Sequence, residues 1–93
     1  MSKTIEYRLS LVGREIIITD EKAEKEELRI PILYLKNEKY LTQTDIYQEI
    51  RNNISQNFKV KNSDIRLKFG EGEPQQRIRD IAKDNQLKHK KDR

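Results

Sequence analysis

Cysteine and tryptophan are absent from these 93 residues, and histidine and methionine occur once each. Without cysteine there is no disulfide framework, no thiolate metal site and no cysteine nucleophile, and the composition fits a reducing compartment. The one imidazole, His89, stands near the C-terminus with no second histidine or cysteine to complete a metal site or a catalytic pair. Long apolar segments are missing too. The longest aliphatic run is Ile16-Ile17-Ile18, far short of a membrane span or the apolar core of a signal peptide. The expectation is a soluble cytoplasmic protein with no membrane partner.

Catalytic motifs are also lacking. Gly70-Glu71-Gly72-Glu73-Pro74 comes nearest to a phosphate-cradling loop. It lacks the third glycine of G-x-G-x-x-G and the Gly-Lys-Ser/Thr of a P-loop, and its glutamates repel phosphate. Ser63-Asp64 ahead of a strand reads as turn chemistry rather than an acid beside a hydroxyl. Nearly all carboxylates fall in charged segments or on polar faces, away from the burial or close partner that shifts a pKa. The chain is therefore read as non-catalytic, with no cofactor and no metal.

What is present is isoleucine and charge. Leu, Ile, Val and Phe together number 24 of 93 residues, twelve of them isoleucine, above the roughly 20% that marks disordered chains. Length allows one domain and not two. Charged residues at 39% and a mean hydropathy of −1.03 imply a heavily charged surface around a small core.

The segment 4–12 alternates Ile5, Tyr7, Leu9 and Leu11 with Glu6, Arg8 and Ser10, a half-buried strand. Gly13 supplies a turn, and residues 14–19 return as a second strand, apolar on both faces and so expected at the centre of the sheet. The segment 20–27 is a charged connector. Residues 28–35 resume the alternation and predict a third strand with Leu28, Ile30, Ile32 and Tyr34 on one face, placed at a sheet edge by Pro31, which cannot donate to a ladder. Asn37-Glu38 is a turn, and 39–41 a short return.

The most strongly encoded element follows. Thr42 with Asp45 fits a capping box, Leu41 and Ile46 a hydrophobic staple, and Ile46, Ile50 and Ile54 recur every fourth residue, with Tyr47 and Phe58 widening the stripe. A helix over about 42–58 results. After Asn62-Ser63, Ile65, Leu67 and Phe69 alternate with Arg66 and Lys68 in another strand whose outer face is basic. Residues 70–74 break it and form the expected hinge. Residues 75–87 carry Ile78, Ile81 and Ala82 on one side, a weak amphipathic helix expected to pack marginally. Residues 1–87 make one domain, and 88–93 a basic tail expected to be disordered.

The fold class is α+β: a small, mostly antiparallel sheet of about four to five strands, with one main amphipathic helix on one face and a weaker C-terminal helix. A β-grasp-like arrangement also satisfies the element order.

Charge points to a partner. Residues 1–58 carry nine Lys/Arg against ten Asp/Glu, and residues 59–93 eleven against six, so the whole net charge of +4 comes from the C-terminal third. Lys59, Lys61, Arg66, Lys68, Arg77, Arg79, Lys83, Lys88, Lys90 and Lys91 are the candidate contacts to phosphates, which give affinity with little sequence specificity. No helix-turn-helix, RRM or zinc-finger signature accompanies them. The expectation is a binding protein that engages a nucleic acid or nucleoprotein complex through this basic third. The alternative is a protein–protein accessory, adaptor or inhibitor that uses the sheet edge near Pro31 or the C-terminal helix.

Overall fold

The structure, a computed structural model, describes residues 4–24 and 27–91. Its elements in order are β1 (Ile5–Val12), β2 (Glu15–Asp20), β3 (Glu27–Pro31), α1 (Ile32–Leu35), α2 (Gln43–Phe58), a 3-10 turn (Asn62–Asp64), β4 (Ile65–Phe69) and α3 (Pro74–Lys91). The expected α+β architecture is found, with four strands in the order β3-β2-β1-β4. Gly13, at φ +62°, turns the β1–β2 hairpin. β2 lies between β1 and β3 and pairs antiparallel with both, whereas β4 returns from the helix and pairs parallel with β1. A hairpin, a helix and a strand parallel to the first is a β-grasp-like order.

Strand alternation sends Tyr7, Leu9, Ile16, Ile18, Ile30 and Ile65 to one face of this sheet, all buried. The α2 stripe of Ile46, Ile50 and Ile54 closes over them with no exposed surface. Burying each such side chain is worth about 1.5–3 kcal/mol. The start of α2 is the expected one: Thr42 Oγ1 accepts from Asp45 N at 3.1 Å, and Asp45 Oδ2 accepts from Thr42 N at 3.0 Å. Its end is set by Lys59, a left-handed cap at φ 54°.

Three expectations change. The strand predicted over 28–35 stops at Pro31, and Ile32 to Leu35 wind into the single turn α1. Ile32 and Leu35, three residues apart, then both enter the core, while Leu33 and Tyr34 face out at 78% and 51% exposure. Residues 39–41 form no strand: Tyr40 N donates to Asn37 O and Lys39 N to Asn37 Oδ1, so the Asn37 turn leads directly to the α2 cap. Of the two expected hairpins, only the first forms. The helix expected to end at Leu87 runs to Lys91, so Lys88, His89, Lys90 and Lys91 are helical rather than part of a tail. Residues 92–93 and residues 25–26 of the charged connector lie outside the described residues.

Candidate nucleic-acid interface

The structure distributes the ten basic positions over three places. Lys59 and Lys61 are exposed at the junction between α2 and the 3-10 turn. Arg66 and Lys68 point to the open face of the sheet, opposite the helices. Arg77, Arg79, Lys83, Lys88, Lys90 and Lys91 lie along α3. The sequence set is therefore not one surface.

The open sheet face is offset by its own acids. The parallel register sets Glu6 beside Arg66, and Glu6 pairs with Lys68 at 3.2 Å and with Arg66 at 4.0 Å. Arg8 pairs with Glu21 at 3.5 Å and Arg29 with Glu15 at 3.3 Å. Exposed pairs of this kind add little stability. They do weaken the field an anion would feel: the single charge of Glu6 offsets one of the two positive charges on the outer face of β4. Glu6 is 60 residues away from Arg66 in the chain, so only the parallel pairing brings the charges together.

α3 is held more firmly than its apolar content implies. Pro74 opens it and is fully buried, and Ile78, Ile81 and Ala82 join the core. Asn85, at 1% exposure, donates from Nδ2 to Leu35 O at 3.0 Å and to Tyr40 O at 2.8 Å. Gln86 Nε2 adds a bond to Leu41 O. The connection before it is tied rather than loose: Gly70 N donates to Leu9 O and Leu11 N to Glu71 O at 2.6 and 2.8 Å. Gly72, at φ +83°, lies so close to Leu11 that a Cβ would stand 2.0 Å from its carbonyl oxygen. The expected hinge and the expected marginal packing both give way to these contacts.

Fixing the buried face of α3 fixes its flanks. At 3.6 residues per turn, Arg79, Lys83, Gln86 and Lys90 fall within an arc of about 60°. On the opposite flank Arg77 and Lys88 are interleaved with Asp80 and Asp84. Arg79, Lys83 and Lys90 are exposed, and none has an ion-pair partner among the described residues. At 1.5 Å rise per residue, this acid-free flank extends over about 16 Å. Lys88, Lys90 and Lys91 also suit the negative end of the helix dipole, a sufficient structural reason for a basic last turn. Arg79 and Lys83 are too far from that end to be explained by it.

Beside Arg79 stands a group the sequence did not single out. The strand β4, on the border of the sheet, begins buried at Ile65, passes through half-buried Leu67 and ends with Phe69 at 45% exposure. Phe69 meets the edge of Tyr47 at a centroid distance of 5.9 Å and an interplanar angle of 65°. The Tyr47 hydroxyl is buried without a partner among the described residues. Burial raises its pKa, and the nearby Arg79 charge works against that rise. Strand alternation had grouped Phe69 with Ile65 and Leu67; that the strand lies on the border of the sheet is not encoded in that pattern.

The edge near Pro31 is real, since β3 is a border strand. Ile32 N donates to Arg14 O, so the register turns Ile30 and Leu28 towards β2 and Pro31 away from it. The donor that proline lacks is one that would have faced a partner strand, which blunts the edge. No group of three or more His, Asp or Glu fit to hold a metal, and no helix long and apolar enough to cross a membrane, occurs among the described residues. Comparison with protein families, with curated proteins and with solved structures found no match to this chain.

Proposed function

We propose that this protein is a non-catalytic binding module that engages a nucleic acid, alone or within a nucleoprotein complex, through the basic flank of α3. The observation that carries the reading is the alignment of Arg79, Lys83 and Lys90 with no acid between them and no ion-pair partner among the described residues. Cations left unpaired on a rigid helix can displace the counterions of a phosphate backbone. The scaffold supports this by holding α3 through Asn85 and its buried isoleucines.

Anisotropy titrations with labelled oligonucleotides at two salt concentrations test it. Replacing Arg79, Lys83 and Lys90 by glutamine should weaken binding and flatten the salt dependence, the slope falling by roughly 0.7–0.9 for each phosphate no longer neutralised. Arg66→Gln and Lys68→Gln, which share Glu6 as an ion-pair partner, should do less. No binding at low salt, or equal effects from the two groups, would refute the assignment. A second reading, a protein accessory or adaptor, is favoured by the border position of β3 beside exposed Leu33 and Tyr34. A pull-down from the native host in which a protein partner survives nuclease treatment would favour that reading.

A further inference from the structure

We propose that Phe69 is a stacking platform for an unpaired nucleobase, so that the nucleic acid taken by this protein is single-stranded. The inference rests on the α3 reading above and narrows it. Three features of the surface around Phe69 support it.

The ring is exposed and already positioned. It stands at the end of β4, 45% exposed, and Tyr47 braces its side edge-on. Little side-chain freedom remains to be given up when a base settles on it.

The surroundings match a nucleotide. Phe69 forms a shared wall between two shallow clefts. One, of about 360 Å³, is lined also by Thr44, Tyr47, Gln48 and Arg51, at the small end of ligand-sized clefts. The other is lined by Gly70, Glu73, Gln75, Gln76 and Arg79. An arginine thus stands on either side of the ring, with amide and hydroxyl groups between that can donate to and accept from base edges. Glu73 is the one carboxylate among these linings. Arg51 spends one guanidinium nitrogen on Ile65 O at 2.7 Å and keeps the rest of its fork.

The third feature is continuity. Arg79 lines the cleft beside Phe69 and also begins the Arg79–Lys83–Lys90 flank. A strand whose phosphates follow that flank to Arg79 reaches the cleft that Phe69 lines. Bases held in a duplex cannot reach it, because single strands are recognised by unstacking their bases onto aromatic side chains, and each base so stacked contributes to affinity with little sequence preference.

The test uses the full chain and fluorescein-labelled mixed-sequence DNA and RNA of about 20 nucleotides, longer than the site of a single binding fold, as single strands and as duplexes. Single strands should bind more tightly than duplexes. Phe69→Leu, which keeps an apolar contact to Tyr47, should weaken single-strand binding by roughly 5- to 150-fold. Phe69→Trp should retain affinity, and its indole, the only one in the chain, should be quenched on binding. Circular dichroism establishes that both variants fold, and Lys83→Gln serves as the charge control. Equal affinity for single strands and duplexes, with Phe69→Leu as tight as the parent and Lys83→Gln weakened, would overturn the platform and leave the α3 reading intact. Absence of binding to every probe would overturn both.

Discussion

Replacing Asn85 should cost this small domain a large share of its stability. The Asn85 amide is fully buried and donates to two backbone carbonyls, Leu35 O and Tyr40 O, on either side of the turn that precedes α2. Asn85→Ala leaves the Tyr40 carbonyl without its donor, an unmet buried acceptor that costs about 1–3 kcal/mol. It also removes one of two bonds to Leu35 O, which keeps its bond from Asn37 N at 2.9 Å, a loss of about 0.5–1.5 kcal/mol. The expected destabilisation is therefore about 1.5–4.5 kcal/mol, against a typical domain stability of about 5–15 kcal/mol. For a chain of this length that corresponds to a fall in Tm of roughly 6–36 °C. Asn85→Asp keeps the shape but sets a carboxylate against two carbonyl oxygens, so near pH 7 it should be no more stable than the alanine variant. Burial raises the pKa of such an aspartate, and its protonated form regains one donor. Stability is then recovered as pH falls through the folded pKa. Urea denaturation followed by far-UV circular dichroism, at neutral and mildly acidic pH, measures all of this. If Asn85→Ala lies within about 0.5 kcal/mol of the parent, the range for ordinary surface substitutions, or if Asn85→Asp is unaffected by pH, the anchoring argument is wrong. The consequence reaches function, because the same two bonds set the orientation of the Arg79–Lys83–Lys90 flank.

Gly72→Ala should be worse than Gly13→Ala. Both glycines have positive φ, which costs a side chain about 1–2 kcal/mol, but only at Gly72 does the added carbon strike a backbone carbonyl, while Gly13 has nothing within 4 Å; paired urea melts decide it. Thr42→Ala removes the side-chain half of the capping box and should lower stability by about 1 kcal/mol, measurable in the same assay. The Tyr40 hydroxyl, buried without a partner among the described residues, has its pKa pushed above the tyrosine range by burial first and then by the Glu49 charge. The unfolded chain releases this proton near about pH 10 while the folded chain holds it, so stability is full below that pH and falls as pH rises beyond it. Tyr40→Phe should be neutral or slightly stabilising at neutral pH and should lessen the alkaline destabilisation; a steeper decline than in the parent would contradict the sign.

How much of the fold could be read in advance depended on whether the signal was local. The α2 helix was legible because capping box, staple and four-residue apolar spacing agree within one stretch of chain, β1 and β4 because each alternates over five residues or more, and β2 because three consecutive β-branched isoleucines follow the Gly13 turn. The run Ile32-Leu33-Tyr34-Leu35 was not. It is apolar throughout, so period two and period three fit equally well until Pro31 and the core choose between them. α3 was underrated for a related reason: an asparagine among charged residues looks like surface, and nothing nearby in the chain announces two waiting carbonyls 45 and 50 residues away.

Residue types and their spacing along the chain were enough for the class of fold, the main helix, the central position of β2 and the concentration of positive charge after residue 58. Which of those charges are available to a partner was settled by packing alone. Parallel pairing of β4 with β1 delivers Glu6 to Arg66 and Lys68, the buried face of α3 turns Arg79, Lys83 and Lys90 outward together, and the border position of β4 leaves Phe69 part-exposed beside Arg79. Charge is a sum over residues, but the field that a partner meets depends on distances across the fold, and those are fixed only when the elements pack.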